Sequence, residues 1–276
     1  MKWVPAWGRD RIYGMIENRP DWVISRQRLW GVPITVLYCE QCSEPVTSPE
    51  LFAKVTELFR TEGADAWFEH AAKDFLPAGY TCKCGSTSFR KDLDILDVWF
   101  DSGSSHEAVL PFRPELTWPA DLYLEGSDQH RGWFQSSLLV GLGTRGRPPF
   151  KAVLTHGFLI DVDGRKMSKS VGNVIAPAEV IKESGAESLR LWVASSDFRD
   201  ELRVGKQILQ RVVEAYRKIR NTCRYLLANL YDFEPARDML PAVEMQEVDR
   251  YALARYAEVA QDVLAAYDSY DFPSIF

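Results

Sequence analysis

An apolar strand that passes through a glycine turn into a helix constrains the fold of this chain most. Residues 121–124 predict a short buried strand, and residues 128–142 carry apolar side chains at helical spacing. A second strand is predicted at residues 93–100, which read LDILDVWF. In open α/β sheets, ligands bind outside the carboxyl ends of the strands. The chain is therefore predicted to be an α/β protein with a ligand site directly after residue 124.

Two carboxylates follow that strand, on Glu125 and Asp128. A carboxylate at this edge of a sheet suits a pair of ribose hydroxyls or an α-ammonium group. The alternative is that Ser127 or Asp128 only caps the following helix. One residue can do both, so the sequence leaves both interpretations open.

A lysine-rich segment forms the second candidate site, and we call residues 161–174 the lysine loop. Its centre is Arg-Lys-Met-Ser-Lys-Ser, and Gly164 and Gly172 flank it. Lysine supplies a compact charge, serine and backbone N–H groups supply donors, and glycine lets the backbone close over a ligand. These residue types suit a polyphosphate. On composition alone, an exposed basic hairpin tip is the alternative.

Four of the five cysteines form two close pairs, Cys39 with Cys42 and Cys82 with Cys84. Two such pairs on tight turns are the sequence form of a zinc ribbon. The second pair is one residue shorter than usual, so free reduced thiols are the alternative. Four thiolates would leave no open coordination position, and the predicted Zn²⁺ site is therefore structural.

Further helices are predicted at residues 49–61, 178–184, 186–195, 208–230 and 243–267. The helix at 208–230 is amphipathic, and its polar face carries Arg217, Lys218, Arg220 and Arg224. A solvated helix face is one interpretation of these charges, and contact with a phosphate backbone is the other.

The formal net charge of −6 excludes a global basic field, so any nucleic-acid site must be a local patch. No apolar run reaches the length of a membrane span, and the first residues lack a signal peptide. We therefore expect a cytoplasmic location and no membrane partner.

Five motifs in one order resemble class I aminoacyl-tRNA synthetases, and the isoleucyl branch in particular. Lys-Met-Ser-Lys-Ser is the signature loop of the class, and the other four are RPDWVISRQRLWG at 19–31, WFDSG at 99–103, YLEGSDQHRGW at 123–133 and RLWVAS at 190–195. Valyl- and leucyl-type synthetases are the nearest alternatives. A non-catalytic tRNA-binding module, which would use the cysteine pairs and the basic helix, is the alternative from a different class.

The sequence departs from that family in two respects: it has no His-Ile-Gly-His-type motif and no editing insertion. The resemblance implies the C-terminal half of a Rossmann-like catalytic domain with a small Cys-rich, zinc-ribbon-like insertion, followed by an α-helical bundle segment. The expected parts are residues 1–38, a catalytic segment that follows the editing insertion; 39–92, a Cys-rich connective insertion; 93–196, the second half of the nucleotide-binding fold; and 197–276, the stem-contact region and the start of the anticodon-binding domain. Without the first half of the fold and the editing domain, the chain is expected to be inactive alone.

The resemblance also implies a reaction: isoleucine is activated with ATP to the aminoacyl-adenylate and then transferred to tRNA(Ile). ATP with Mg²⁺ and a structural Zn²⁺ are the implied cofactors. The implied catalytic residues are Lys169 and Lys166. The implied ATP- or adenylate-binding residues are Glu125, Gly126, Asp128, Gln129, His156, Gly157, Phe158 and Lys169. Trp99 would line the isoleucine pocket, the four paired cysteines would bind zinc, and the basic side chains at 217–224 would contact tRNA.

Overall fold

The computed structural model describes residues 1–276 and divides them into two compact units. Unit one comprises Met1–Tyr123 and Asp128–Leu154, and unit two comprises Leu124–Ser127 and Thr155–Phe276. The strands are β1 Lys2–Val4, β2 Ser25–Arg26, β3 Leu37–Cys39, β4 Pro45–Val46, β5 Phe89–Lys91, β6 Ile95–Leu96, β7 Ala120–Gly126, β8 Phe150–His156, β9 Leu159–Ile160 and β10 Leu202–Arg203. The α-helices are α1 Trp7–Glu17, α2 Pro49–Glu62, α3 Ala66–Glu69, α4 Val98–Gly103, α5 Ser105–Val109, α6 Trp133–Arg145, α7 Pro177–Ser184, α8 Ala186–Ser195, α9 Lys206–Asn229, α10 Pro235–Asp238 and α11 Glu247–Ser269.

Unit one is built around a sheet with the strand order β1-β8-β7. Strand β1 pairs with β8 in parallel, so that Trp3 lies opposite Val153. Apolar side chains from α1, α6, β7 and β8 form one core cluster, which contains Ile12, Tyr123, Phe134, Leu138, Phe150 and Val153. The strand predicted at 121–124 lies within β7, but the prediction that it is buried was wrong except at Tyr123, since Asp121 and Leu124 are exposed. Phe134 and Leu138 of α6 pack in the same core as Tyr123.

The prediction of a strand over residues 93–100 was wrong in its second half. Strand β6 ends at Leu96 and helix α4 begins at Val98. The carboxylate of Asp97 accepts a hydrogen bond from the backbone N–H of Trp99 at 3.1 Å and so caps α4. At the end of α4, a Cβ on Gly103 would lie 2.9 Å from the backbone of Ser136 in α6. The glycine of the WFDSG motif therefore permits two helix backbones to approach closely.

Within unit one, the cysteine-containing part has a core of its own. Strand β3 pairs antiparallel with β4 and with β5. Helix α2 packs against these strands, and its N-terminus is capped by Ser48, which accepts a hydrogen bond from the N–H of Leu51. The cluster contains Leu37, Val46, Leu51, Val55, Trp67, Phe75 and Leu76. A separate core is what a folded insertion requires.

Unit two contains the parallel pair β9–β10 and the helices α7 to α11. Trp192 of α8, Val204 and Val212 of α9 form its buried cluster, and Met167 of the lysine loop packs against them. Beyond Val212, the apolar side of α9 is exposed, and Leu227 has 71% of its surface accessible. Helices α9 and α11 exist as predicted, but the predicted helical bundle stays a prediction.

No helix in residues 1–276 is both long enough and apolar enough to cross a membrane.

Candidate functional site

The segment after β7 is a 3₁₀ helix, Ser127–Arg131, and not the start of α6. Helix α6 begins only at Trp133, with Gly132 at its N-cap. Neither Ser127 nor Asp128 therefore caps α6, and the capping interpretation of these residues was wrong. Glu125 and Asp128 both have exposed side chains that form no ion pair. The predicted ligand role of these two carboxylates stays a prediction.

Gln129 takes over the capping role in unit one. Its Oε1 accepts a hydrogen bond from the N–H of Trp133 at 2.8 Å, and its Nε2 donates to the carboxylate of Asp128 at 3.0 Å. A Cβ on Gly132 would lie 2.4 Å from Oε1 of Gln129 and 3.0 Å from the Trp99 ring. The structure thus brings Gln129 and Trp99 together at Gly132, and the Trp99 side chain remains 42% exposed.

Three of the predicted nucleotide-binding residues, His156, Gly157 and Phe158, lie at and just after the end of β8, in unit two. The ring of His156 forms a hydrogen bond with the carbonyl of Gly157 at 2.8 Å through Nδ1. The N–H of Gly157 donates to the carbonyl of Phe198, and a Cβ on Gly157 would lie 2.0 Å from the carbonyl oxygen of Asp200. Two backbone segments therefore cross at Gly157, which leaves no room for a side chain there. Phe158 is 41% exposed.

The lysine loop begins at the end of β9 and is held by one carboxylate. Asp161 accepts four hydrogen bonds, from the backbone N–H groups of Asp163 and Arg165, from Nε of Arg165, and from Nδ2 of Asn173. The pKa of Asp161 is lowered to about 2, first of all by the hydrogen bond from Asn173. The loop is therefore an internally bonded hairpin and more than a basic tip.

The two lysines of this loop have no partner. Lys166 and Lys169 are both exposed, and neither ammonium group forms an ion pair or a hydrogen bond. Met167, which lies between them, packs into the core of unit two. The loop is thus anchored by its methionine and presents its lysines to solvent.

The four paired cysteines meet in one cluster. Their sulfur atoms all lie within 4.8 Å of one another, with Cys39 and Cys84 at 3.6 Å and Cys42 and Cys82 at 3.5 Å. A tetrahedron with Zn–S bonds of about 2.3 Å has sulfur–sulfur distances of about 3.8 Å. The backbone N–H of Cys42 helps to lower the pKa of the Cys39 thiol to about 6. The donor set and its spacing therefore fit a structural zinc ion, and the short Cys-x-Cys turn does not prevent this.

One buried carboxylate of unit one was missed by the sequence analysis. Asp97 accepts hydrogen bonds from Nε1 of Trp22 at 3.0 Å, Nη2 of Arg26 at 2.5 Å and the N–H of Trp99. Burial alone would raise the pKa of Asp97, but these hydrogen bonds and the charge of Arg26 hold that pKa below its usual value. Asp97 thereby joins the motif at 19–31 to the WFDSG motif. The apolar pattern of residues 93–100 favours a strand and does not indicate this role of Asp97.

A cavity of about 330 Å³ lies beside this aspartate. Arg26, Trp30, Gly31 and Asp101 contribute to its wall, and the Trp30 side chain is 90% exposed. Trp30, like Trp99, is thus an aromatic side chain of a family motif that unit one leaves open to solvent.

On α9, all four predicted tRNA-contact side chains are exposed, and none forms an ion pair. These are Arg217, Lys218, Arg220 and Arg224.

Comparison with known proteins defines the class to which this fold and these motifs belong. The model of the class I tRNA synthetases (I, L, M and V) matches residues 1–205, and the chain belongs to this family. Within the family, its relatives include isoleucine–tRNA ligases. That of Desulfotalea psychrophila is 60% identical over 275 residues, that of Geobacter sulfurreducens 59% over 277 residues, and that of Caldanaerobacter subterraneus 58% over 276 residues. The resemblance predicted from the five motifs is thus confirmed.

These matches cover the whole of this chain but only 29–30% of each relative, so the chain spans about three tenths of their length. Two solved structures share the fold. A LeuRS–tRNA–LeuAMS complex from Agrobacterium radiobacter K84 has a TM-score of 0.68 and 24% identity over 93% of this chain and 34% of that one. Methionyl-tRNA synthetase of Mycobacterium tuberculosis with methionyl-adenylate has a TM-score of 0.63 and 19% identity over 97% and 44%. The predicted class I α/β fold is thereby confirmed.

Proposed function

We propose that this chain acts as part of an isoleucine–tRNA ligase, which activates isoleucine with ATP and transfers it to tRNA(Ile). The observation that carries the proposal is the 60% identity to an isoleucine–tRNA ligase over the full chain. Valyl- and leucyl-type activities are the alternatives within the family.

In unit two, the proposed catalytic residues are Lys169 and, second to it, Lys166. Activation places the isoleucine carboxylate in line with the α-phosphate of ATP, so the protein mainly positions the reactants and stabilises charge on the departing pyrophosphate. The exposed, unpaired ammonium groups support this role. Mg²⁺ bound together with ATP would further neutralise the phosphate charge. Glu125, Gly126, His156, Gly157 and Phe158 are proposed to contact the nucleotide or adenylate.

In unit one, Asp128 is proposed to hold the ribose hydroxyls and Gln129 to assist it. The exposed carboxylate of Asp128, which forms no ion pair, supports the first role, and the hydrogen bond from Gln129 orients that carboxylate. Trp99 is proposed as a wall of the isoleucine pocket. An apolar pocket discriminates by only about 1–3 kcal/mol per methylene, so this wall alone would not reject valine.

Cys39, Cys42, Cys82 and Cys84 are proposed to hold a structural Zn²⁺. Four thiolates close the coordination shell and link β3 to the turn that precedes β5, so the ion would stabilise this part and take no part in the reaction.

The chain is proposed to consist of four parts. Residues 1–38 would be a catalytic segment, 39–92 a Cys-rich connective insertion, 93–196 the second half of the nucleotide-binding fold, and 197–276 the last part. The last would form the stem-contact region and the start of a helical anticodon-binding bundle, in which Arg217, Lys218, Arg220 and Arg224 contact tRNA phosphates. Their lack of ion pairs supports this. A cytoplasmic location is proposed with the ligase function.

A chimera tests the ligase function. The matched 275 residues of the Desulfotalea psychrophila ligase are replaced by this chain, and ATP–pyrophosphate exchange is measured with isoleucine, valine and leucine. We expect isoleucine-dependent exchange, and a loss of about 10²–10³ in kcat for Lys169→Ala in the same chimera. A folded chimera that exchanges faster with leucine or valine would contradict the proposal. The isolated chain is expected to show no exchange.

The unpaired basic side chains of α9 also favour a second candidate, a tRNA-binding module without catalysis. Filter binding of tRNA to the isolated chain at several salt concentrations tests it. Phosphate contact predicts that affinity falls steeply with salt, and a salt-independent affinity would exclude it.

A further inference from the structure

Both carboxylate oxygens of Asp161 are fully hydrogen-bonded. Oδ1 accepts from the N–H of Asp163 at 3.0 Å and of Arg165 at 2.8 Å, and Oδ2 accepts from Nδ2 of Asn173 at 2.8 Å and Nε of Arg165 at 3.2 Å. An ionised carboxylate has about four acceptor positions. All four are therefore filled, and the side chain is 90% buried. The one buried anion of the loop is thus saturated and has no free position for either lysine.

Asn173 lies near the C-terminal end of the lysine loop, opposite Asp161. While its Nδ2 donates to Asp161, its Oδ1 accepts from the backbone N–H of Ser168 at 2.9 Å. Nδ2 also approaches the carbonyl of Lys166 at 3.3 Å. Asn173 therefore bonds the backbone between the two lysines and ties it to the base of the loop.

The lysine side chains take no part in this bonding. The contacts to Asp161 and Asn173 come from backbone groups, from Arg165 and from each other, while Lys166 and Lys169 stay unpaired. Met167 fixes the same stretch from the opposite side by packing in the core. The internal hydrogen bonds of the loop therefore do not use the ammonium groups of its two lysines.

We propose that Asp161 and Asn173 are positioning residues that close the lysine loop before a ligand arrives and hold Lys166 and Lys169 ready for a polyphosphate. Closing a loop beforehand removes an ordering cost from binding. The polyphosphate part rests on the proposed function, whereas the closure itself does not.

The test swaps the side chains of residues 161 and 173 in the 276-residue chain. Asp161→Asn places two amide groups against each other, and Asn173→Asp places two carboxylates together. The double variant Asp161→Asn with Asn173→Asp restores one donor and one acceptor. Asp163→Asn is the matched control, because Asp163 is an exposed carboxylate in the same turn that bonds only the Arg165 side chain. Tm is measured for each variant to confirm folding.

Two measurements are made: amide hydrogen exchange at Arg165 and Ser168 by NMR, and affinity for inorganic pyrophosphate. We expect each single variant to speed exchange at both amides and to weaken pyrophosphate binding, each by about tenfold. The double variant should recover most of the lost amide protection and most of the lost pyrophosphate affinity. The control should stay within about twofold of the parent chain in both measurements.

Unchanged amide exchange in both single variants would overturn the proposal, as would a double variant as defective as the singles. Asn173 is partly exposed and outside the core, so Asn173→Asp remains informative if Asp161→Asn fails to fold. Amide exchange can respond as expected while the parent chain binds no pyrophosphate. In that case the closure of the loop by Asp161 and Asn173 stands, and the proposed role of the lysines fails.

Discussion

Asp97→Ala is expected to destabilise unit one by about 2.5–5 kcal/mol, because it removes the acceptor of three hydrogen bonds. Three groups converge on this carboxylate: the indole of Trp22, the guanidinium of Arg26 and the backbone N–H of Trp99. Asp97 itself is 6% exposed, so these hydrogen bonds replace most of the contact of its carboxylate with water.

The magnitude follows from the three contacts. A hydrogen bond to a charged group contributes about 1.5–3 kcal/mol, which applies to Trp22. Loss of a helix N-cap costs about 1 kcal/mol, which applies to α4. The Arg26 side chain is 38% exposed, so solvent screens its ion pair, which adds at most about 1 kcal/mol.

Urea unfolding gives the change in stability, with amide exchange in α4 to assign that change to unit one. Asp101→Asn is the matched control on the same helix. Burial and the charge of Asp97 raise the pKa of Asp101, so its neutralisation is expected to be neutral or slightly stabilising. A loss below about 1 kcal/mol for Asp97→Ala, or equal losses in both variants, would refute this account of the aspartate.

Three further predictions concern other parts of the chain. Cys39→Ser is expected to abolish stoichiometric zinc in metal analysis of the purified chain, and zinc retained in full would contradict the four-thiolate site. Gly157→Ala is expected to lower the free energy of unfolding by about 1–3 kcal/mol, since its Cβ would collide with the Asp200 carbonyl. Gly143→Ala, where a Cβ meets open space, is the control. Equal effects of the two variants would contradict the close approach of two backbone segments at Gly157. The pKa of Asp161 is depressed to about 2, so its contribution to loop order is fully present above about pH 4 and is lost as the pH falls through about 2. Amide exchange at Arg165 against pH checks this, and loss of protection already at pH 5 would contradict it.

Much of the fold could be predicted from local pattern. The helix predicted at 49–61 is α2, those at 178–184 and 186–195 are α7 and α8, and that at 208–230 is α9, all within a few residues. Apolar periodicity and Pro or Gly at the ends are local signals, so they can be seen in the sequence.

The errors come from single side-chain contacts that the apolar pattern does not show. At residues 93–100 the apolar run favoured a strand, but the side chain of Asp97 stops it and starts a helix. At residues 128–132 the helical pattern extends too far, because Gly132 and the Gln129 side chain place the real start at Trp133.

The candidate site was predicted from resemblance, and its residue roles stay predictions. The lysines and the cysteines could be found because their chemistry is visible in the residue types. The supporting contacts could not: Asp97 meets Arg26 across 71 positions, and Asp161 meets Asn173 across 12. No local rule relates such residues before the chain has folded.

Three glycines that lie in or next to the family motifs have one consequence for the evolution of chains like this one. Gly103, Gly132 and Gly157 each face atoms that a Cβ would meet at 3.0 Å or less. Selection for a stable fold is thus sufficient to retain them, even in a descendant that has lost its chemistry. The ammonium groups of Lys166 and Lys169 form no ion pair or hydrogen bond in the folded chain, so stability does not protect these side chains. Among duplicated copies of such a gene, the lysines would be the first to drift after activity is lost, while the glycines would persist.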